Sequence, residues 1–188
     1  MNLAERIAIQ SPEIALYEQY LNDKLDAGQL ESLIAPTTFI VTNEACLPLI
    51  KTCAFEDLVR ELQNNSSEKE HPEGVNVSIV LDYDLSTDLF YLEVGDNVTY
   101  SAAELKAILK NVNSNHPQRT GKKAERELMN SAADDGSGIV MTRKKLKQFD
   151  GKYSFYGTED NRIVQVITIN KTMFFTKTKT VLPLFQTD

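Results

Sequence analysis

Gly136-Ser137-Gly138, the unbroken run from Ile139 to Gln148, and the turn Phe149-Asp150-Gly151-Lys152-Tyr153 decide how this chain is read. The glycines flank a loop that opens a helix carrying Arg143, Lys144 and Lys145 in succession. A tight turn and a strand over Tyr153–Tyr156 follow. Glycine lets a backbone approach an anion closely, and the first turn of a helix offers unpaired N–H groups and a positive dipole end. That combination suits a phosphate. The motif is nonspecific alone, since many helices begin after a glycine turn, so its surroundings carry the weight.

Upstream, Asn113 to Asp135 is poor in apolar residues, and its length in a small domain makes it a candidate lid, with a short helix over Lys123–Met129. Before it, Ala103–Val112 places Leu105, Ile108, Leu109 and Val112 on one helical side, with Ser101 as cap. Val75–Leu81 and Leu89–Val94 read as paired strands, and Asn64–Gly74 as a polar surface loop. Leu47–Asn65 reads as helix with a break near Thr52 and Cys53; Phe55, Leu58, Val59 and Leu62 form its core stripe. Thr37–Thr42 is β-branched and aromatic, hence a strand. Ser11-Pro12-Glu13 starts an N-terminal helix, with a further short turn over Gln29–Ile34. Downstream, Ile163–Ile169 pairs with Tyr153–Tyr156 across a hairpin. The Thr/Lys alternation between Lys171 and Phe185 predicts a protected edge strand. The order predicts an α+β fold, a two-layer sandwich with helices on one face of a mixed sheet.

Bulk properties narrow the function. The chain has 188 residues, 41% of them hydrophobic and 25% charged, which suits one soluble domain. A net charge of −7 with no long basic face argues against nucleic-acid binding. No apolar run approaches a membrane span, and Met1–Gln10 lacks a signal-peptide core, so a cytoplasmic location is expected. Cys46 and Cys53 have neither CxxC spacing nor a neighbouring histidine, so a metal site or disulfide framework there is not expected. His71 and His116 read as surface residues.

Three elements line up with the glycine turn. Glu61 and Asn65 stand at i, i+4 on one helix face. Val94-Gly95-Asp96-Asn97 brings a carboxylate to a strand end. The Asn113–Asp135 segment then leads to Gly136–Gly138. In this order the chain resembles the GHKL ATP-binding superfamily of gyrase, the heat-shock chaperone ATPase, histidine kinases and MutL. Val59 to Ser66 looks like its E/N-x-x-x-N helix, and Gly136 to Tyr153 like its last glycine box. The resemblance runs from Phe55 to Ile169.

The resemblance implies ATP and Mg²⁺ as ligands. Glu61 would polarise a water or a substrate hydroxyl. Asn65 would hold Mg²⁺, with Asn64 the alternative if the register slips by one residue. Asp96, with Asn97 beside it, would receive the adenine amino group. Gly136, Ser137 and Gly138 would meet phosphates, and Lys144 or Lys145 either reach them or remain a solvated face. One departure matters: Val98 and Tyr100 stand where the family has glycines, which reshapes or closes the adenine pocket. The implied organisation is a helical extension over 1–36, an ATP-binding domain over 37–170, and a strand or tail over 171–188.

Within the superfamily, no histidine-bearing hairpin precedes the domain, so histidine autophosphorylation is not expected. The chain is similar instead to small stand-alone kinases of the anti-sigma-factor and SiaB-like types. These phosphorylate Ser or Thr on a small partner, such as a STAS-like protein, in partner switching. A degenerate, non-catalytic module that sequesters a partner is the alternative, and a plain interaction protein a third. The apolar side of Ser11–Ile34 leaves homodimerisation and docking on the chain's own sheet both open.

Overall fold

The computed structural model describes residues 8–23, 35–67, 69, 71–114, 117 and 138–186. Alternation along the strands sets its layers. The strands are β1 (Thr37–Val41), β2 (Val77–Asp84), β3 (Leu89–Thr99), β4 (Lys152–Gly157) and β5 (Arg162–Asn170). They form a five-stranded sheet in the order β1-β2-β3-β5-β4. β1 runs parallel to β2, and the other pairings are antiparallel. Phe39, Val41, Ile79, Leu81, Phe90, Leu92, Val94, Ile167 and Ile169 are buried, whereas the alternating Thr38, Ser78, Lys152 and Ser154 are exposed. One face therefore carries the core, as the expected α+β sandwich requires.

The helices covering that face are α1 (Pro12–Asp23), α2 (Leu47–Ile50), α3 (Cys53–Ser67), α4 (Ala102–Val112), α5 (Gly138–Lys147) and α6 (Lys171–Lys177). Thr52 makes the expected break between α2 and α3: its hydroxyl donates to Leu49 O and accepts from Phe55 N–H. Phe55, Leu58, Val59 and Leu62 are buried along α3. Ser101 caps α4 in a complete capping box with Glu104. α1 docks on the chain's own core through Ile14, Tyr17 and Leu21, with the Tyr17 and Phe39 rings 5.0 Å apart edge to face. Asn22 and the Thr37 backbone exchange two hydrogen bonds of 2.8 and 2.9 Å there.

Two expectations fail. Lys171 to Phe185 is not an edge strand: Asn170 caps α6 by accepting from Met173 N–H, and Phe174 enters the core against Phe149. The helix takes up Lys171–Lys177, the alternating residues after it form no strand, and within this segment only Val181 makes a β-contact, to Thr52. The β3 strand does not end at Val94 but runs to Thr99, pairing Asp96 with Val77 and Thr99 with Arg162 around an irregularity. The sheet's edges are β1 and β4, and the β4 edge is the one nearest the end of α4. Asn113 covers it by donating to Phe155 O (2.9 Å) and accepting from Phe155 N–H (3.1 Å). Cys46 is buried, which pushes its thiol up to about 12, and neither cysteine is in a disulfide. No helix among the described residues is long and apolar enough to cross a membrane.

Candidate functional site

The site is built where α3 meets the start of α5. Helical spacing puts Glu61 and Asn65 on the same side of α3, both half-buried, while Asn64 is exposed and Gln63 is drawn inward to the Thr37 hydroxyl at 2.7 Å. Both side chains face Gly138. A Cβ at Gly138 would lie 2.1 Å from Glu61 Oε1, 3.3 Å from Glu61 Cδ and 3.7 Å from Asn65 Oδ1. Only glycine permits this approach. Glu61 thus lies at the positive end of the 10-residue helix α5, where a carboxylate is favoured.

A polar cluster fixes this corner from below. The Tyr153 hydroxyl donates to Gln165 Oε1, and Gln165 Nε2 donates to the Ser66 hydroxyl at 3.0 Å. Burial is the main cause that raises the Tyr153 phenol well above its ordinary range; the Asn65 amide opposes the rise and the Glu61 charge adds to it. Asn65 Nδ2 is buried with the Tyr153 hydroxyl as its neighbour, but it makes no hydrogen bond of normal geometry among the described residues. A buried amide nitrogen so placed calls for an acceptor.

Arg143 ties the neighbouring elements together. Its guanidinium donates to Val112 O (2.6 Å), Ser114 O (2.7 Å) and Tyr153 O (3.4 Å), locking the C-terminal end of α4 to α5 and β4. Lys144 and Lys145 are exposed in the last turn of α5, remote from its N-terminal Gly138. They fit the solvated-face reading.

The strand acid is placed differently from expectation. Asp96 is buried within β3 rather than at its end, and its carboxylate accepts from Val98 N–H at 3.1 Å and from Lys69 Nζ at 2.5 Å. Val98 continues the strand as a buried residue, so the glycine-lined loop of the resemblance is absent here. Asn97 does not join Asp96. Strand alternation turns it to the other face, where it accepts from Asn76 N–H (2.8 Å) and donates to Gly74 O (3.1 Å). Gly136, Ser137 and most of the segment expected to form a lid, including the helix expected over Lys123–Met129, lie outside the described residues.

Lys69, Tyr153 and Gln165 escaped the sequence reading. Lys69 and Asp96 are distant in sequence, and no local pattern announces their pairing. Tyr153 and Gln165 read as ordinary strand positions, although an inward-facing Gln on an apolar strand is a usable signal of a polar cluster.

Among the described residues no group of three or more His, Cys, Asp or Glu could hold a metal ion. Asn65 and Glu61 offer hard oxygens, which fits Mg²⁺, an ion that keeps waters and takes other ligands from phosphate.

No protein-family model matches the chain, and no curated protein matches it in sequence. Solved structures do. Two nucleotide-free forms of the catalytic domain of histidine kinase ThkA superpose with a TM-score of 0.52 each. One is 17% identical and is matched over 85% of this chain and 90% of its own length; the other is 18% identical, over 85% and 92%. The chain has the fold of these domains, which is the GHKL fold.

Proposed function

We propose that this chain binds Mg-ATP between α3 and α5 and transfers the γ-phosphoryl group to a Ser or Thr of a small partner protein, as in partner switching with a STAS-like acceptor. The observation that carries this reading is the convergence of Glu61 and Asn65 on Gly138. It joins a carboxylate, an amide oxygen and the N-terminus of a helix at one point.

In this reading the backbone N–H groups at the start of α5 receive phosphate oxygens, together with Gly136 and Ser137 just before it. Asn65 holds Mg²⁺ through its amide oxygen. When bound, the ion neutralises phosphate charge. Glu61 orients the acceptor hydroxyl and accepts its proton at a carboxylate oxygen. As the new O–P bond forms at the γ-phosphorus, the bond to the β,γ-bridging oxygen breaks and ADP leaves. Such a transfer depends on positioning and charge more than on covalent chemistry, so a sparse site suffices. Asp96 would receive the adenine amino group.

The test is incubation of the chain with γ-labelled ATP, Mg²⁺ and a STAS-like acceptor. Acid-stable label on acceptor Ser or Thr is expected, and Glu61→Ala should abolish it while nucleotide binding persists. Acid-labile label on histidine, or loss of binding with Glu61→Ala, would contradict the assignment. A non-catalytic binding module is the second reading, favoured by Val98, Tyr100 and the Lys69–Asp96 pair. It is expected to capture a partner without any transfer of label.

A further inference from the structure

The acid assigned to the base is already occupied by the chain itself. Asp96 Oδ1 accepts from the Val98 amide at 3.1 Å and Oδ2 from Lys69 Nζ at 2.5 Å. The Asp96 side chain is 1% exposed and that of Lys69 20%. Lys69 follows α3, and its Nζ lies 5.8 Å from the centre of the Tyr100 ring. Tyr100 is itself half-buried; burial first, then the charges of Asp96 and Glu104, push its hydroxyl up to about 12. Three side chains from two segments, the connection after α3 and the end of β3, thus close one cluster.

An ammonium and the exocyclic amine of a base are both donors to a carboxylate oxygen and compete for the same position. The ammonium is the stronger competitor, because it brings a full opposite charge to the carboxylate in addition to the hydrogen bond that a neutral amine can also make. Resting on the nucleotide reading above, we propose that Lys69 is an internal occupant of the base subsite and decides whether a base reaches Asp96. With Lys69 in place, Mg-ATP is gripped by its phosphate end, and the base adds affinity only once Lys69 has left. Departure does not require unfolding: Lys69 is a long, partly exposed side chain on a surface connection, and the Val98 amide stays on Asp96.

The test compares Mg-ATP with Mg-tripolyphosphate, which lacks base and sugar, by calorimetry on the wild type, Lys69→Met and Lys69→Gln. Wild type is expected to bind the two ligands within about threefold, and Lys69→Met to tighten Mg-ATP by about tenfold or more without changing tripolyphosphate. Unchanged Mg-ATP affinity in Lys69→Met, with tripolyphosphate still bound, overturns the occupant role and leaves the phosphate site standing. Failure of both ligands to bind any form overturns both readings. Lys69→Met leaves a buried carboxylate without its cation and can impair folding. Lys69→Gln keeps a neutral donor and should shift Mg-ATP affinity in the same direction. The wild type also serves alone: Mg-ATP binding more than about tenfold tighter than tripolyphosphate overturns the proposal.

Discussion

Glu61 and Gly138 share one space: the carboxylate oxygen of the first stands 2.1 Å from where a side-chain carbon on the second would be. Contact this close makes the glycine a condition of the site rather than a loop convenience. It also separates stability from function at one position. The atom in the way is the far end of a flexible side chain, which can swing aside at low cost.

Gly138→Ala is therefore expected to fold, with a change under about 1 kcal/mol, since alanine is also the better helix former. Glu61 should be displaced and phosphoryl transfer should fall by about a hundredfold or more. Urea unfolding and a transfer assay on the same preparation check both halves. Retained activity would mean that Glu61 does not act from this position.

Gly151 gives the opposite outcome. A Cβ there would lie 2.6 Å from the Thr168 carbonyl and 3.1 Å from the Leu146 carbonyl, both backbone atoms that cannot turn away. Gly151→Ala should cost about 2–3 kcal/mol in chemical denaturation, and a neutral result would contradict the packing described at this turn.

Removing the Arg143 guanidinium should loosen α4 from α5. Arg143→Ala loses its bonds to Val112 O, Ser114 O and Tyr153 O, and about 2–3 kcal/mol of stability is expected to go with them. Arg143→Lys should recover only part, because a compact ammonium cannot reach all three carbonyls as the broad, planar guanidinium does. Full recovery in the lysine variant would show that charge alone matters.

Asp88 supplies a pH signature. It sits at φ 55°, and its carboxylate accepts from the hydroxyls of Thr172 and Tyr83. The Thr172 hydroxyl bond is the main influence holding it below the usual carboxylate range. A group depressed in the folded state stabilises above its unfolded pKa and loses that contribution as pH falls through the folded value. Asp88→Asn preserves the backbone conformation, since asparagine tolerates positive φ. The wild-type advantage over this variant should be constant near neutrality and shrink below about pH 4. An advantage undiminished at pH 2.5 would contradict this.

Periodicity made the layers legible. The apolar stripe of α3 fixed its rotation, and with it the common direction of Glu61 and Asn65, but it left Asn64 open as the alternative, which the structure shows exposed. The Ser101 cap and the break near Thr52 are local signals and were readable as such. The C-terminal segment was misread because Thr and Lys alternation resembles an edge strand, while Asn170 and Phe174 act through capping and long-range burial. The Asp96 corner was legible only in part. Val98 and Tyr100 announced an altered pocket, but the occupant, Lys69, comes from a polar loop whose sequence says nothing of its destination. Arg143 stood out as basic, yet its partners are backbone carbonyls, which leave no trace in sequence.

Calorimetric titration of Mg-ATP into the wild type, Asn65→Ala and Asn64→Ala tests the central claim most directly. Wild type should bind in a Mg²⁺-dependent manner, Asn65→Ala should weaken binding by about tenfold or more, and exposed Asn64 should be replaceable within about twofold. Equal affinity in wild type and Asn65→Ala, or no binding by the wild type at millimolar nucleotide, would contradict a nucleotide site between α3 and α5.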